Sequence, residues 1–267
     1  MKILLAFLTC ILFVTQTSAA EIRLAVTTSF ENSGLAAVLL PRIEEDIDLK
    51  VRLIVVGTGQ ALRLGRAGDV DAVLVHSKKA EDEFIKDGFG SHRREIMFND
   101  FIIVGPKSDP AGLSGMADST SALAAIANAG ASFVSRGDDS GTHKKELSLW
   151  KEAGIDPDKA SGDWYLEVGA GMGSTLNTAS AKNAHTLADR GSWLKFANKG
   201  ELTILHQGDP RLHNQYALVP VSSARHSHVK SALVQQLEDW LASDKGQKLI
   251  ADYRLSGEQL FTPNAKQ

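Results

Sequence analysis

Cysteine is all but missing from this chain of 267 residues: the single one, Cys10, lies in an N-terminal apolar stretch and is followed by Ile11, Leu12, Phe13 and Val14. Nothing beyond position 10 can form a disulfide or do thiol chemistry, and the apolar residues after Cys10 argue against a lipid-attachment site. Blocks of basic residues are also missing. Lysine and arginine number 29 against 32 acidic residues, a formal net charge of −3, which gives a nucleic acid no electrostatic footprint. After the N-terminus no apolar run approaches membrane-spanning length. There is no low-complexity segment and no repeat of fixed period. What remains is a soluble, mildly acidic globule long enough for one large core or two modest ones.

The N-terminus reads as a secretory leader. Lys2 supplies a positive start, residues 3–14 an apolar core, and Ser18-Ala19-Ala20 a small-residue cleavage site, too short in all for a membrane span. Cleavage after Ala20 removes only one charged residue, Lys2, and the exported chain is expected in the periplasm.

Beyond the leader, strand and helix patterns alternate. Ile22-Arg23-Leu24-Ala25-Val26 alternates as a strand and opens into the polar loop Thr27-Thr28-Ser29, followed by helical spacing over residues 35–43 that Pro41 should end or bend. Residues 51–56 form a second strand, closed by Gly57-Thr58-Gly59 and a helix over 61–66. Residues 71–77 form a third strand and turn, with a helix over 81–86. Strands recur at 100–106, 132–134, 164–168, 202–205 and 215–220, with helices at 119–129, 144–153, 175–183 and 229–241, the last expected to continue to about residue 251. Strands that end in hydroxyl- or glycine-rich turns opening helices place those turns at the carboxyl edge of a parallel sheet, where α/β proteins bind ligands. The expected fold is α/β, with two lobes, each a mainly parallel sheet flanked by helices, joined by two hinge crossings. The leader takes residues 1–20, lobe 1 residues 21–104 and 217–267, and lobe 2 residues 105–216.

The most informative stretch is Ser135-Arg136-Gly137-Asp138-Asp139-Ser140-Gly141-Thr142-His143. The first N–H groups of a helix lack partners and carry partial positive charge, so a loop opening a helix is a seat for an oxyanion. Gly141 lets a ligand approach the backbone, Ser140 and Thr142 add hydroxyls, and Arg136 adds a charged fork. Asp138 and Asp139 suit capping the helix or holding Arg136. Ser140 as a plain helix cap and Arg136 as a surface residue is the alternative. Together with Thr27, Thr28, Ser29, Thr58 and Ser77 the loops offer neutral donors and one strong cation, a set suited to a small dehydrated dianion.

The motifs Val26-Thr27-Thr28-Ser29, Val56-Gly57-Thr58-Gly59-Gln60-Ala61-Leu62, Leu74-Val75-His76, the run from Asn99 to Pro106 and the run from Phe133 to His143, in this order, closely resemble the tungstate-binding proteins of ABC transporters. The resemblance spans residues 21 to beyond Asp189-Arg190-Gly191. It implies a type II periplasmic binding protein, working as a monomer without cofactor, that hands tungstate, or the similar molybdate, to a permease driven by a cytoplasmic ATPase. Carried over by position, Thr28 and Ser29 belong to the first ligand loop, Thr58 to the second, and Arg136, Ser140, Gly141 and Thr142 to the third. The Arg-x-x-x-Ser-Gly-Thr spacing also resembles phosphate-binding proteins, which have an aspartate where this chain has His76. A neutral His76 can donate where the aspartate accepts, which fits a fully deprotonated anion; a histidine merely bonded to backbone is the other reading. The family usually has three threonines before the serine, and Val26 replaces the first.

Weaker signals are Gly169 to Ser174, read as a close-approach turn lining the cleft with Ser174 as helix cap or ligand contact, and Asp189-Arg190, read as an ion pair bracing the second lobe. His226-Ser227-His228 has too few companions for a metal and suggests solvated surface. Competing functions are binding of molybdate, sulfate or phosphate in the same cleft, a sensor subunit for the same anion, and a hydrolase using Ser140 or Ser135 with His143. The chain lacks Gly-x-Ser-x-Gly, and His143 directly follows the cradle, which disfavours the hydrolase.

Overall fold

The computed structural model describes residues 20–265, so the expected leader lies, except for Ala20, outside the described residues. The chain begins β1 (Ala20–Thr27), α1 (Thr28–Ser33), α2 (Ala36–Ile47), β2 (Leu49–Val56), α3 (Thr58–Ala67), β3 (Ala72–Val75), α4 (Lys78–Lys86) and the long β4 (Arg94–Pro106). Next come α5 (Ser119–Asn128), β5 (Phe133–Ser135), α6 (Gly141–Glu152), β6 (Tyr165–Glu167), α7 (Met172–Lys182), β7 (Thr186–Asp189), α8 (Arg190–Lys195) and β8 (Leu202–His206). β9 (His213–Pro220), α9 (Ser231–Ala242), α10 (Asp244–Asp252) and the short β10 (Arg254–Leu255), β11 (Glu258–Gln259) and β12 (Thr262–Pro263) complete it.

β2, β1 and β3 lie parallel in that order, continued by β9 antiparallel to β3 and by β4 antiparallel to β9. All four residues of β3 are buried, as expected for a strand covered on both faces. Leu39 and Ile43 of α2 with Leu237 and Leu241 of α9 cover one face; Ala61 and Leu62 of α3 with Phe84 of α4 cover the other. β4 changes partners along its length. Residues up to Asp100 pair with β9, whereas Phe101 to Pro106 pair with β7 and β8. β5 runs parallel to β6 and meets β7 through Phe133 and His185. The apolar clusters divide at the same place: two are built from residues before Phe98 and after Asn214, and two from residues between Phe101 and Leu212.

Several boundaries differ from the sequence reading, and each difference has a physical reason. Thr28 and Ser29 are helical, because Thr27 caps α1 by accepting from the Phe30 N–H at 3.2 Å. α3, α6 and α7 begin in their turns, about one helical turn before the apolar spacing becomes legible. α2 runs through Pro41 to Ile47, its buried Ala36, Leu39 and Ile43 holding it on the core. α9 and α10 are separate: Ser243 is extended, ψ 159°, and caps α10 through Gly246 N–H. Among the described residues no helix is long and apolar enough to cross a membrane.

Candidate functional site

The parallel trio ends in register, with Thr27 opposite Val56 and Val26 opposite Leu74, so the turns after β1, β2 and β3 come together at one edge. The turn between β5 and α6 faces them. Between the two sides lies a small cavity of about 10 Å³. Thr27, Thr28, Ser29, Gly57, Thr58 and His76 line it from one side, and Arg136, Ser140, Gly141 and Thr142 from the other. Every residue carried into the ligand set from sequence thus meets in one space. Thr27, Gly57 and His76 join them.

The walls present donors. Thr58 Oγ1, His76 Nδ1 and Arg136 Nε are buried polar atoms without a partner among the described residues. Such atoms are costly, about 1–3 kcal/mol each, unless something else engages them. No lining residue carries a carboxylate. His76 is held neutral: burial, and then the nearby Arg136 charge, take its pKa from the ordinary 6.5 down to about 4. Its Nε2 lies 3.1 Å from Ser29 Oγ, which in turn is 2.9 Å from Thr27 Oγ1 and 3.1 Å from the Tyr216 hydroxyl. Asn214 continues the network to Asn99, its Nδ2 donating to Oδ1 at 2.7 Å.

The turn before α6 is a built cradle. Ser140 caps the helix, Oγ accepting from the His143 N–H at 3.1 Å, and its hydroxyl proton stays available to donate. The capping alternative and the cavity position therefore hold together for this residue. Arg136 is no surface residue: it is 5% exposed and donates to Asp138 Oδ2 at 2.5 Å, while Asp138 Oδ1 accepts from the Ser140 N–H at 3.1 Å. One carboxylate thereby fixes both the cation and the loop. Asp139 reaches across to Arg63 of α3 at 3.2 Å and also pairs with Lys144. Two glycines make the approach possible. A Cβ on Gly59 would fall 1.6 Å from Asp139 Oδ2, and one on Gly141 would fall 2.5 Å from His76 Cε1 and 3.1 Å from Thr58 Oγ1.

Other expectations are corrected. Arg190 does not pair with its neighbour Asp189; it forks onto Asp100 at 2.6 and 2.5 Å. Asp189 instead caps α8, accepting from the Ser192 N–H at 2.8 Å, and burial pushes its carboxyl up. Ser174 is an exposed residue inside α7, and a Cβ on Gly169, Gly171 or Gly173 would meet nothing, so this turn lies open and away from the cavity. Ser77 lies outside the cavity, its N–H given to Glu81 Oε1. His226 and His228 are not simply solvated, since their Nε2 atoms bond the Arg66 and Gly68 carbonyls at the end of α3. The His143 ring engages the Asp138 carbonyl, and Ser135 donates to Glu146 at 3.0 Å, so neither serine is set against His143 as a nucleophile against its base.

Tyr216, Asn214 and Asn99 were not legible as part of the site. Tyr216 stands 187 residues from Ser29, and no local pattern links them. Chemically, the arrangement can desolvate a small oxyanion and surround it with hydroxyl, imidazole, guanidinium and helix N-terminal donors. It offers no acceptor-only group to an acidic proton.

Comparison with known proteins identifies the chain's relatives. A PBP superfamily domain matches residues 14–245. The tungstate-binding protein TupA of Peptoclostridium acidaminophilum is 44% identical over 249 residues, covering 92% of this chain and 86% of that protein. Among solved structures, the tungstate-binding protein TupA from Desulfovibrio alaskensis G20 is 44% identical, covers 93% of this chain and 100% of its own, and superposes with a TM-score of 0.82. The tungstate ABC transporter structure from Geobacter sulfurreducens is 49% identical, covers 87% of this chain and 98% of its own, and gives a TM-score of 0.79.

Proposed function

Because the chain belongs to the PBP superfamily and, within it, to the family of the TupA tungstate-binding proteins, we propose that it captures tungstate between its two halves and delivers it to an ABC permease driven by a cytoplasmic ATPase. In this reading residues 1–20 export the chain to the periplasm, where it works as a monomeric carrier and not as an enzyme. The two halves, joined through β4 and the start of β9, are lobes that close on the anion. Thr28, Ser29, Thr58, Arg136, Ser140, Gly141 and Thr142 hold it, and His76 Nδ1 donates beside them.

The observation that carries the proposal is the coincidence of three unpartnered buried atoms, Thr58 Oγ1, His76 Nδ1 and Arg136 Nε, at one small cavity lined from both sides. A fully deprotonated dianion engages each of them. Hydrogen phosphate brings a proton that needs an acceptor, and none of the lining side chains is a carboxylate. Sulfate lacks the acidic proton but is smaller than tungstate and makes shorter reach to the same donors. Tungstate and molybdate share charge and nearly share shape, so both should bind, tungstate the tighter.

Isothermal titration of residues 21–267, stripped of anion, tests this directly. The expected result is one-to-one tungstate binding, molybdate close behind, and no displacement by excess sulfate or phosphate. Arg136→Ala should weaken tungstate binding about 10- to 100-fold, the loss of one charge-assisted bond of about 1.5–3 kcal/mol. Phosphate binding in preference to tungstate, or full affinity in Arg136→Ala, would remove the proposal.

A further inference from the structure

Outside the cavity, and separated from it by two residues, lies a second and much larger space. It is a groove of about 620 Å³ between α4 and α6, floored by His213 and Gln215 of β9. Its walls carry five lysines, Lys78 and Lys79 from α4 and Lys144, Lys145 and Lys151 from α6, against one carboxylate, Glu83. Lys144, Ser148 and Lys151 recur at helical spacing, so α6 turns one basic face to the groove. This concentration of positive charge sits on a chain whose formal net charge is −3.

The lysines are not equivalent. Lys78 is paired with Asp82 at 2.6 Å, and Lys144 is paired with Asp139. Lys145 gives its ammonium to the Arg211 carbonyl at 2.9 Å, and the Glu152 and Asp209 carboxylates lie near enough to offset part of its charge. Lys79 and Lys151 have no carboxylate within ion-pair distance among the described residues. Lys79 and Lys151 therefore contribute net positive field to a partly enclosed space, and field lines in a low-dielectric cleft are focused along it.

The groove and the cavity share exactly two lining residues in common, His76 and Gly141, one from each side. They touch: there is no room for a methyl group between the Gly141 Cα and the imidazole. The partition between the two spaces is thus a contact across the cleft, made after β3 and at the start of α6, and separating the halves parts it.

We propose that this lysine groove is an electrostatic entry vestibule, which draws a small dianion to the mouth of the cleft and passes it inward where His76 and Gly141 separate. The inference rests on the anion-binding reading above. It adds that capture rate and holding strength reside in different residues: Lys79 and Lys151 set the rate of arrival, and the cavity donors set the rate of escape. A protein whose overall charge repels its ligand needs such a local field, and the field's reach is the Debye length, about 10 Å at 0.1 M salt.

Stopped-flow association of tungstate, followed by intrinsic fluorescence across a range of ionic strength, tests the vestibule in the full exported chain. The Lys79→Gln/Lys151→Gln double variant should associate about three- to tenfold more slowly at low salt, converge on the wild type at high salt, and dissociate at an unchanged rate. Lys50→Gln/Lys182→Gln, at exposed positions outside the groove, makes the same change in net charge and should leave association near the wild-type rate. Equal rates in the wild type and the groove variant, or equal slowing by both variants, would overturn the vestibule while leaving tungstate capture intact. Absence of tungstate binding by the wild type in equilibrium titration would instead remove both.

Discussion

Two buried titrating groups near the cavity should oppose each other as pH falls, and substitution should unmask each. His76 has its folded pKa depressed from 6.5 to about 4 by burial and then by Arg136. The unfolded chain therefore binds this proton first on acidification, and the stability contributed by the neutral ring is present above pH 6.5 and lost as pH falls toward 4. At about 1.4 kcal/mol per pH unit the whole interval is worth about 3 kcal/mol. Glu146, on α6 beneath the cradle, behaves in the opposite sense. Burial pushes its carboxyl from 4.5 up to about 7, although it accepts from Tyr165 at 2.7 Å and Ser135 at 3.0 Å. Its contribution is present below pH 4.5 and lost as pH rises through 7, again about 3 kcal/mol over the interval. Between about pH 4.5 and pH 6.5 the two nearly cancel, so their joint contribution to the anion-free protein is flat there. Urea unfolding of the wild type, His76→Gln and Glu146→Gln at pH 7 and at about pH 4.5 separates them. Relative to the wild type, His76→Gln should gain stability on acidification and Glu146→Gln should lose it, each by about 2–3 kcal/mol. A His76→Gln profile parallel to the wild type would refute the assignment of a buried neutral histidine at the cavity wall.

Two further substitutions probe the walls themselves. Thr58→Val removes a hydroxyl that has no partner among the described residues, so thermal unfolding of the anion-free protein should move by less than about 1 kcal/mol while tungstate affinity falls about five- to tenfold; loss of stability without loss of affinity would contradict the role of Thr58 as a donor. Gly141→Ala puts a methyl group 2.5 Å from His76 Cε1, so it should hold the halves apart and weaken binding at least about tenfold, with circular dichroism unchanged; wild-type affinity in calorimetry would show that the contact is not part of closure.

The recurring strand, hydroxyl-rich turn and helix were legible because each uses a local signal: alternation in residues 22–26, a continuous apolar run at 72–75, and glycine with a hydroxyl at 57–58 and 140–142. Those turns are the ones that meet at the cavity. What stayed hidden depends on partners far along the chain. The first half of β4 reads Arg94-Glu95-Ile96-Met97-Phe98-Asn99, and its polar residues conceal a strand whose pairing is set by β9, more than a hundred residues on. Asp189 and Arg190 stand adjacent and invite each other as partners, but a helix starts between them, turning one to the cap and the other to Asp100. The orientation of His76 was equally undecidable, since it depends on Ser29, itself bonded to Tyr216, holding one ring nitrogen and leaving the other at the cavity.

β4 has a mechanical consequence. A single strand of 13 residues belongs to both halves, hydrogen-bonded to β9 up to Asp100 and to β7 and β8 from Phe101 onward. In the proposed closure, rotation of one half against the other would be taken up as torsion along this ordered ribbon and not as the freezing of a slack linker. Little chain entropy is forfeited at each closure, where ordering a loose connection would cost about 1–2 kcal/mol for every residue fixed. On the proposed function, the resistance to opening and closing would be elastic, and the same stroke could be repeated with every anion carried.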